Sequence, residues 1–287
     1  MTMARAFAIL AALSFSVSPA PARPQQAANP DDTIETVEVT AQREAMRKAI
    51  RTFVSNVTRF DGENVARWRF PICPSVTGAA REHGEFMRAR IVEIAQFVGA
   101  PLARNQKKCS PNLFVILTPQ PDQLWATFKE RNPKMFGPLQ PQRLERALSA
   151  RPVQTVQNVI LNNADGTTPF NSASYRLRDS HIYSSVTEDF TSVVVVVNDA
   201  ETGQATFGQL ADYVGMVALA RVDLSADFAG ADSILRLFAT TDSATPPPSR
   251  LTEWDQSFLK TLYGVDISHQ RPRTLISTTM IQGLVPE

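Results

Sequence analysis

Cysteine is nearly absent from this chain, histidine almost as scarce, and long apolar runs stop after the first two dozen residues. Each shortage removes a class of function. Two cysteines, Cys73 and Cys109, with no C-x-x-C between them and no histidine beside either, leave no thiol-based redox motif or cysteine-rich metal framework. Three histidines, His83, His181 and His269, include no pair at the i, i+4 spacing that lets one helix present two imidazoles to a zinc ion. Excess charge is missing too: the formal net charge is +1, which supplies no clustered basic surface for phosphate neutralisation, so a nucleic-acid partner is not expected. The phosphate-cradling glycine loops G-x-x-x-x-G-K and G-x-G-x-x-G do not occur, nor does the G-x-S-x-G elbow of serine hydrolases. No cofactor is expected.

What is present begins with a leader. Met1–Arg5 is a short positive segment, Ala6–Val17 is apolar but shorter than a bilayer span, and Ser18–Ala22 supplies small residues for cleavage. Residues 1–22 therefore read as a signal peptide, residues 23–32 as a disordered Pro, Gln and Ala-rich tether, and residues 33–287 as one globular domain. Downstream, nothing approaches the roughly 18 apolar residues of a transmembrane helix. The expected location is periplasmic or secreted, an oxidising setting in which Cys73 and Cys109 pair.

Patterning then predicts elements. Thr33–Thr40 alternates apolar and polar residues as a half-buried strand does, and its continuation to Arg43 is similar to the opening of the plug domain of TonB-dependent receptors. The chain is far too short for the closed barrel that follows such a plug. Ala45, Ala49, Ile50, Phe53, Val54 and Val57 recur at helical spacing, and a second helix from about Glu82 to Val98 is stopped by Gly99-Ala100-Pro101. Asn112–Thr118 reads as a fully buried strand, and Val153–Leu161 as another. Helices are expected over 122–131 and 141–150, each preceded or opened by proline. His181–Thr187 and Thr191–Asn198 read as two strands with Glu188-Asp189 as polar punctuation, and the five valines 193–197 favour a central position. Helices follow over Thr206–Arg221, Asp232–Phe238, Leu251–Tyr263 and Pro272–Gln282, with 240–250 as a loop. The fold class is thus α+β: a mixed sheet packed against helices.

Asp223-x-Ser225-x-Asp227 starts like a calcium loop, but Phe228 replaces the turn glycine and Ile234 the bidentate glutamate. The more informative pattern is an ordered series: the strand ending at Asn198, the helix Gly208–Met216, the turn Asp232-Ser233-Ile234-Leu235, and the segment Leu251-Thr252-Glu253-Trp254-Asp255 through Leu262-Tyr263-Gly264. This order resembles the catalytic half of the zincin metallopeptidases, especially matrixin-like ones and related exported bacterial families, over about residues 181–287. There a sheet is followed by an H-E-x-x-H helix, a Ser-Ile-Met turn and a closing helix of the type Leu-x-x-x-Asp-x-x-x-Leu-x-x-Leu-Tyr-Gly. The resemblance places Gln209 and Tyr213 on the two zinc-histidine positions, Leu210 on the catalytic glutamate and Leu235 on the turn methionine. A register one residue earlier puts Gly208 and Asp212 on the ligand positions. Neither register supplies a histidine pair or a general base. The implied protein is a non-catalytic periplasmic zincin-like domain, holding no metal, that binds an envelope protein or ligand. The competing expectation is a periplasmic peptidase with a non-standard site built from Asp212 with Tyr213 or His181.

Overall fold

The structure, a computed structural model, describes residues 30–58, 65–136, 141–163, 186–239, 245–265 and 271–286. The chain divides into two compact units, residues 1–41 and 42–287. Of the first unit, residues 30–41 are described and are helical. They open helix α1, Pro30–Val57, so Thr33–Thr40 is helical rather than a strand, and the helix starts inside the stretch read as a tether. The reason is physical: a strand needs a neighbour to satisfy its backbone, whereas extending an existing helix adds one hydrogen bond per residue without a second nucleation cost. The exposure of Glu38, Val39 and Thr40 agrees, since a half-buried strand would hide one of its faces.

In the second unit, a mixed sheet is built around one long strand. Strand β1 is Ala66–Arg67, β2 is Pro74–Thr77, β3 is Leu113–Leu117, β4 is Val153–Asn163 and β5 is Val186–Val197. Along one edge β5 pairs antiparallel with β4, and along the other it pairs parallel with β3 at Val193–Val197 and with β1 at Glu188–Asp189. Strand β2 completes the far side, parallel to β3. The valine run is the centre because it is buried on both faces: Val193, Val195 and Val197 face one apolar core, Val194 and Val196 the other. Glu188 and Asp189, expected to punctuate two strands, lie inside β5. Residues 181–185 of the earlier expected strand lie outside the described residues, as do His181 and His269.

The larger core face is covered by α1 from Ile50 to Val57, α2 (Arg81–Val98), α5 (Phe207–Leu219), α6 (Glu253–Gly264) and α7 (Pro272–Leu284). The opposite face carries α3 (Pro121–Arg131), a 3₁₀ turn (Pro133–Phe136) and α4 (Pro141–Ser149), with Trp125, Phe136 and Leu148 against Val156, Val194 and Val196. This second cover is partial. Phe114 of β3 remains 36% exposed, which corrects the expectation of a strand buried throughout. Trp125 is buried with its indole N–H donated to Gln154 Oε1 at 2.7 Å, which satisfies the polar end of an otherwise apolar anchor.

Chain punctuation follows the expected chemistry where it bears on packing. Helix α2 ends at Gly99, whose φ of 78° is the left-handed cap a side chain would resist. Gly78, at φ 83°, lets the turn after β2 approach the end of β3 so closely that an added Cβ would lie 1.9 Å from the Leu117 carbonyl oxygen. Cys73 and Cys109 form a disulfide across 36 residues of sequence, tying the start of β2 to the loop before β3. Asn112 reinforces the same corner by accepting the Cys73 N–H at 2.8 Å and donating to the Pro71 carbonyl.

Candidate functional site

Helix α5 carries the positions on which any zincin-like chemistry would depend. Thr206 caps it: its hydroxyl accepts the Gln209 N–H at 3.2 Å, and Gln209 Oε1 accepts the Thr206 N–H at 2.9 Å. That reciprocal box consumes the acceptor end of Gln209. The donor end is also engaged, since Nε2 donates to the Pro248 carbonyl at 2.8 Å. From Leu210 to Leu219 every residue is buried, so the helix lies within the core rather than along its edge. Leu210 occupies that core directly.

Asp212, only 2% exposed, accepts from Arg90 of α2 at 2.5 Å (Nε) and 3.1 Å (Nη2), and from the Leu251 N–H at 2.7 Å. Arg90 is held charged more firmly than an ordinary arginine, chiefly by the Asp212 hydrogen bond. Its Nη1 also lies 2.8 Å from Glu93. Tyr213 is buried edge-on against Phe238, with ring centroids 4.9 Å apart, and burial pushes its phenol upward. Gly208, the ligand position of the alternative register, offers no side-chain donor. Gly215 lets α2 come close; a Cβ there would meet Ile94 Cδ1 at 2.5 Å.

The residues of the turn and closing helix meet each other. Asp255 of α6 accepts the Ser233 hydroxyl at 2.5 Å and the Ile234 N–H at 2.8 Å, while completing its own capping box through the Thr252 N–H at 2.9 Å. Ser233 in turn accepts the Leu235 N–H at 3.1 Å, starting the short 3₁₀ helix Ile234–Phe238 that carries Phe238 to Tyr213. Burial outweighs these donors and lifts the Asp255 carboxyl to about 6. At the other end of α6, Tyr263 donates to the Leu219 carbonyl at 2.6 Å, capping the last turn of α5, and Trp68 Nε1 donates to Ala218. Burial raises the Tyr263 phenol as well.

These contacts tie Gln209 to Pro248, Asp212 to Leu251 and Tyr213 to Phe238. Among the described residues they do not join Asp212 to Tyr213. Asp212 and Tyr213 are neighbours on a helix, about 100° apart around its axis, and each is committed to a different element. His83 is exposed and stacked on Phe207, with centroids 4.6 Å apart. Asp223 and Asp227 make local turns, accepting from Ser225 and Ala229. Among the described residues no three His, Cys, Asp or Glu side chains converge. The donor set at the helix does not fit zinc: an amide used at both ends, a buried phenol and an ion-paired carboxylate.

Sequence reading missed Arg90. Its signal was faint: a charged residue flanked at i−3, i+1 and i+4 by Met87, Ile91 and Ile94, the buried stripe of α2. It also missed a second charged cluster low on the sheet. Arg221 pairs with Glu188 at 2.5 Å, both 13% exposed, and Arg69 Nε lies 3.1 Å from Asp189 Oδ1 without the alignment of a hydrogen bond. Asn162 donates to the other Asp189 oxygen at 2.6 Å. Comparison with protein-family models, curated proteins and solved structures returns no match.

Proposed function

We propose that this chain is an exported, non-catalytic domain of the cell envelope, a zincin-like frame whose former catalytic face serves binding or scaffolding. One observation carries the reading: the side chains at the degenerate positions are spent on structure, while the most specific residues of the resemblance contact one another. Gln209 caps its own helix and holds Pro248, Asp212 holds Arg90 and Leu251, and Tyr213 packs on Phe238. Ser233, Ile234 and Asp255, the turn and closing-helix positions, form one buried hydrogen-bonded unit, and Tyr263 caps α5. A frame kept by its own polar contacts has no need of a metal to orient its helices. The leader, residues 1–22, delivers the chain to the periplasm or beyond, where the partner is an envelope protein or ligand. None of the helices described is long and apolar enough to cross a membrane.

Elemental analysis and thermal melting of the purified mature protein, with and without chelator, test the reading. The expected result is no stoichiometric zinc, no shift on chelation and no cleavage of an unfolded protein substrate. One tightly held zinc per chain, or a large loss of thermal stability on adding chelator, would overturn it and put the peptidase first.

A further inference from the structure

Helix α2 buries Met87, Ile91, Ile94, Ala95 and Val98 against the larger core and turns its other side to solvent. That side is not uniformly polar: Phe86 is 49% exposed and Phe97 50% exposed. The two positions are separated by about 1,100° of helical rotation, so they stand within about 20° of one line along the axis and roughly 16 Å apart. On the same line between them lie Arg90 and Glu93. Positions 86, 90, 93 and 97 alternate steps of four and three, the spacing by which one helix presents a seam to another. Neighbouring elements hold the ends of the seam. Phe86 lies 6.0 Å from Phe207 at the start of α5, ring centre to ring centre, and Lys260 of α6 stands 4.0 Å from the centre of the Phe97 ring. In the middle, Arg90 spends Nε and Nη2 on Asp212 and turns Nη1 to Glu93 at 2.8 Å, whose side chain is 67% exposed.

The order Phe, Arg, Glu, Phe complements itself when read in the opposite direction. Residues 86 and 97, and residues 90 and 93, are centred on the same point between 91 and 92. A second α2 running antiparallel about that point therefore sets Phe86 against the partner's Phe97 and Arg90 against the partner's Glu93. A parallel pairing would oppose arginine to arginine and glutamate to glutamate, which is repulsive. A two-fold interface must be satisfied by one patch meeting itself, and this patch meets that condition in its apolar and its charged positions alike. We propose that the Phe86–Phe97 face of α2 is the interface of a two-fold dimer of this chain, with α2 packed antiparallel on its copy. The phenylalanines supply the apolar contacts at both ends. At the centre each Arg90 bridges its own Glu93 and the partner's, and these charges set register more than affinity, because desolvation offsets much of their attraction. The inference does not depend on the reading of α5: zinc bound there would leave it standing.

Sedimentation equilibrium of the purified mature protein tests it. The expected result is a reversible monomer–dimer equilibrium for the unsubstituted chain, weakened about tenfold or more by Phe86→Lys alone and by Phe97→Glu alone. An equimolar mixture of those two variants should associate again, because the antiparallel register sets the lysine of one against the glutamate of the other and keeps one Phe86–Phe97 contact at the far end. Circular dichroism melting of each variant checks that these half-exposed positions accept the change. Glu93→Lys, which sets like charges at the two-fold axis, gives the same disruption if either variant melts early. A protein that stays monomeric at high micromolar concentration, a dimer indifferent to all three substitutions, or a mixture as monomeric as each folded variant alone overturns the proposal. So does a monomer that instead binds phosphatidylglycerol vesicles through Phe86 and Phe97.

Discussion

Asp255→Asn is the sharpest probe of the frame, because burial and hydrogen bonding act on that carboxylate in opposite directions. The wild-type group accepts from the Ser233 hydroxyl, the Ile234 N–H, the Thr252 N–H and, at 3.0 Å, the Thr252 hydroxyl. An amide with its oxygen in the Oδ2 position keeps the Ile234 N–H and both Thr252 donors and turns its NH₂ group toward the Ser233 hydroxyl, which loses its acceptor at roughly 1–3 kcal/mol. Against that loss, asparagine carries no buried charge. With the folded carboxyl raised to about 6 and an unfolded value near 3.9, the wild-type folded state binds more protons than the unfolded state between those values. Stability from this group is therefore fully present below the unfolded value and is lost as pH rises through about 6. The swing between pH 7 and pH 4 is about 2–3 kcal/mol, and the variant lacks it. Urea denaturation followed by circular dichroism at pH 4.5, 5.5 and 7 should show the stability difference moving in favour of the wild-type protein on acidification, with the two proteins nearest each other at pH 7. A gap that stays constant or narrows toward pH 4.5 would refute the reasoning, since it would mean that the four donors outweigh desolvation.

Three further perturbations test separate parts of the packing. Gly78→Ala must force φ 83° on a β-carbon placed 1.9 Å from a backbone oxygen that cannot rotate away, so a loss of about 3 kcal/mol or more is expected in chemical denaturation. Arg90→Ala leaves Asp212 buried with its charge uncompensated, and should cost roughly 3–5 kcal/mol. Cys73→Ser with Cys109→Ser opens a loop closed over 36 residues and should lower stability by about 4 kcal/mol on the chain-entropy argument, with thiol titration of the unreduced wild-type protein reading no free cysteine.

Much of the fold was legible because its signals are local. The Gly99 stop of α2, the prolines opening α3 and α4 and the two-sided burial of Val193–Val197 each follow from residues within one element. What failed was decided at a distance. Ile34, Val37 and Val39 are interspersed with polar residues as in a half-buried strand, and it is the continuity of α1 through to Val57 that makes the stretch helical. Glu188 and Asp189 look like a break because charges are rare in central strands, yet Arg221, Arg69 and Asn162 reach them from elsewhere in the sequence. The same holds at the candidate site. That Gln209, Leu210 and Tyr213 could not form an H-e-x-x-H set was visible from residue types alone. That Arg90, 122 residues away, fills the space beside Asp212 was not.

The choice of charged rather than apolar residues at this position carries its own argument. A buried ion pair is seldom more stabilising than well-packed hydrophobic residues of the same volume, because desolvation offsets the attraction. Core economy therefore does not explain Asp212 and Arg90. Directionality does: the Asp212 carboxylate faces two elements at once, accepting the guanidinium of α2 on both oxygens and the Leu251 N–H on one. An apolar pair would fill the space and leave the Leu251 N–H buried without an acceptor. The ion pair thus fixes where the chain re-enters the core after the proline segment, and so sets the register at which Pro246 and Pro248 present their carbonyls to Arg236 and Gln209. Asp255 acts likewise from the other side, fixing the Ser233–Ile234 turn from which Arg236 projects. Both buried carboxylates bear on the same stretch of chain, Asp212 through the Leu251 N–H and Asp255 through the Thr252 N–H. On this geometry Asp212 and Asp255, with Gln209 and Arg236, hold residues 246–252 in place beside α5 and the Ser233–Phe238 turn.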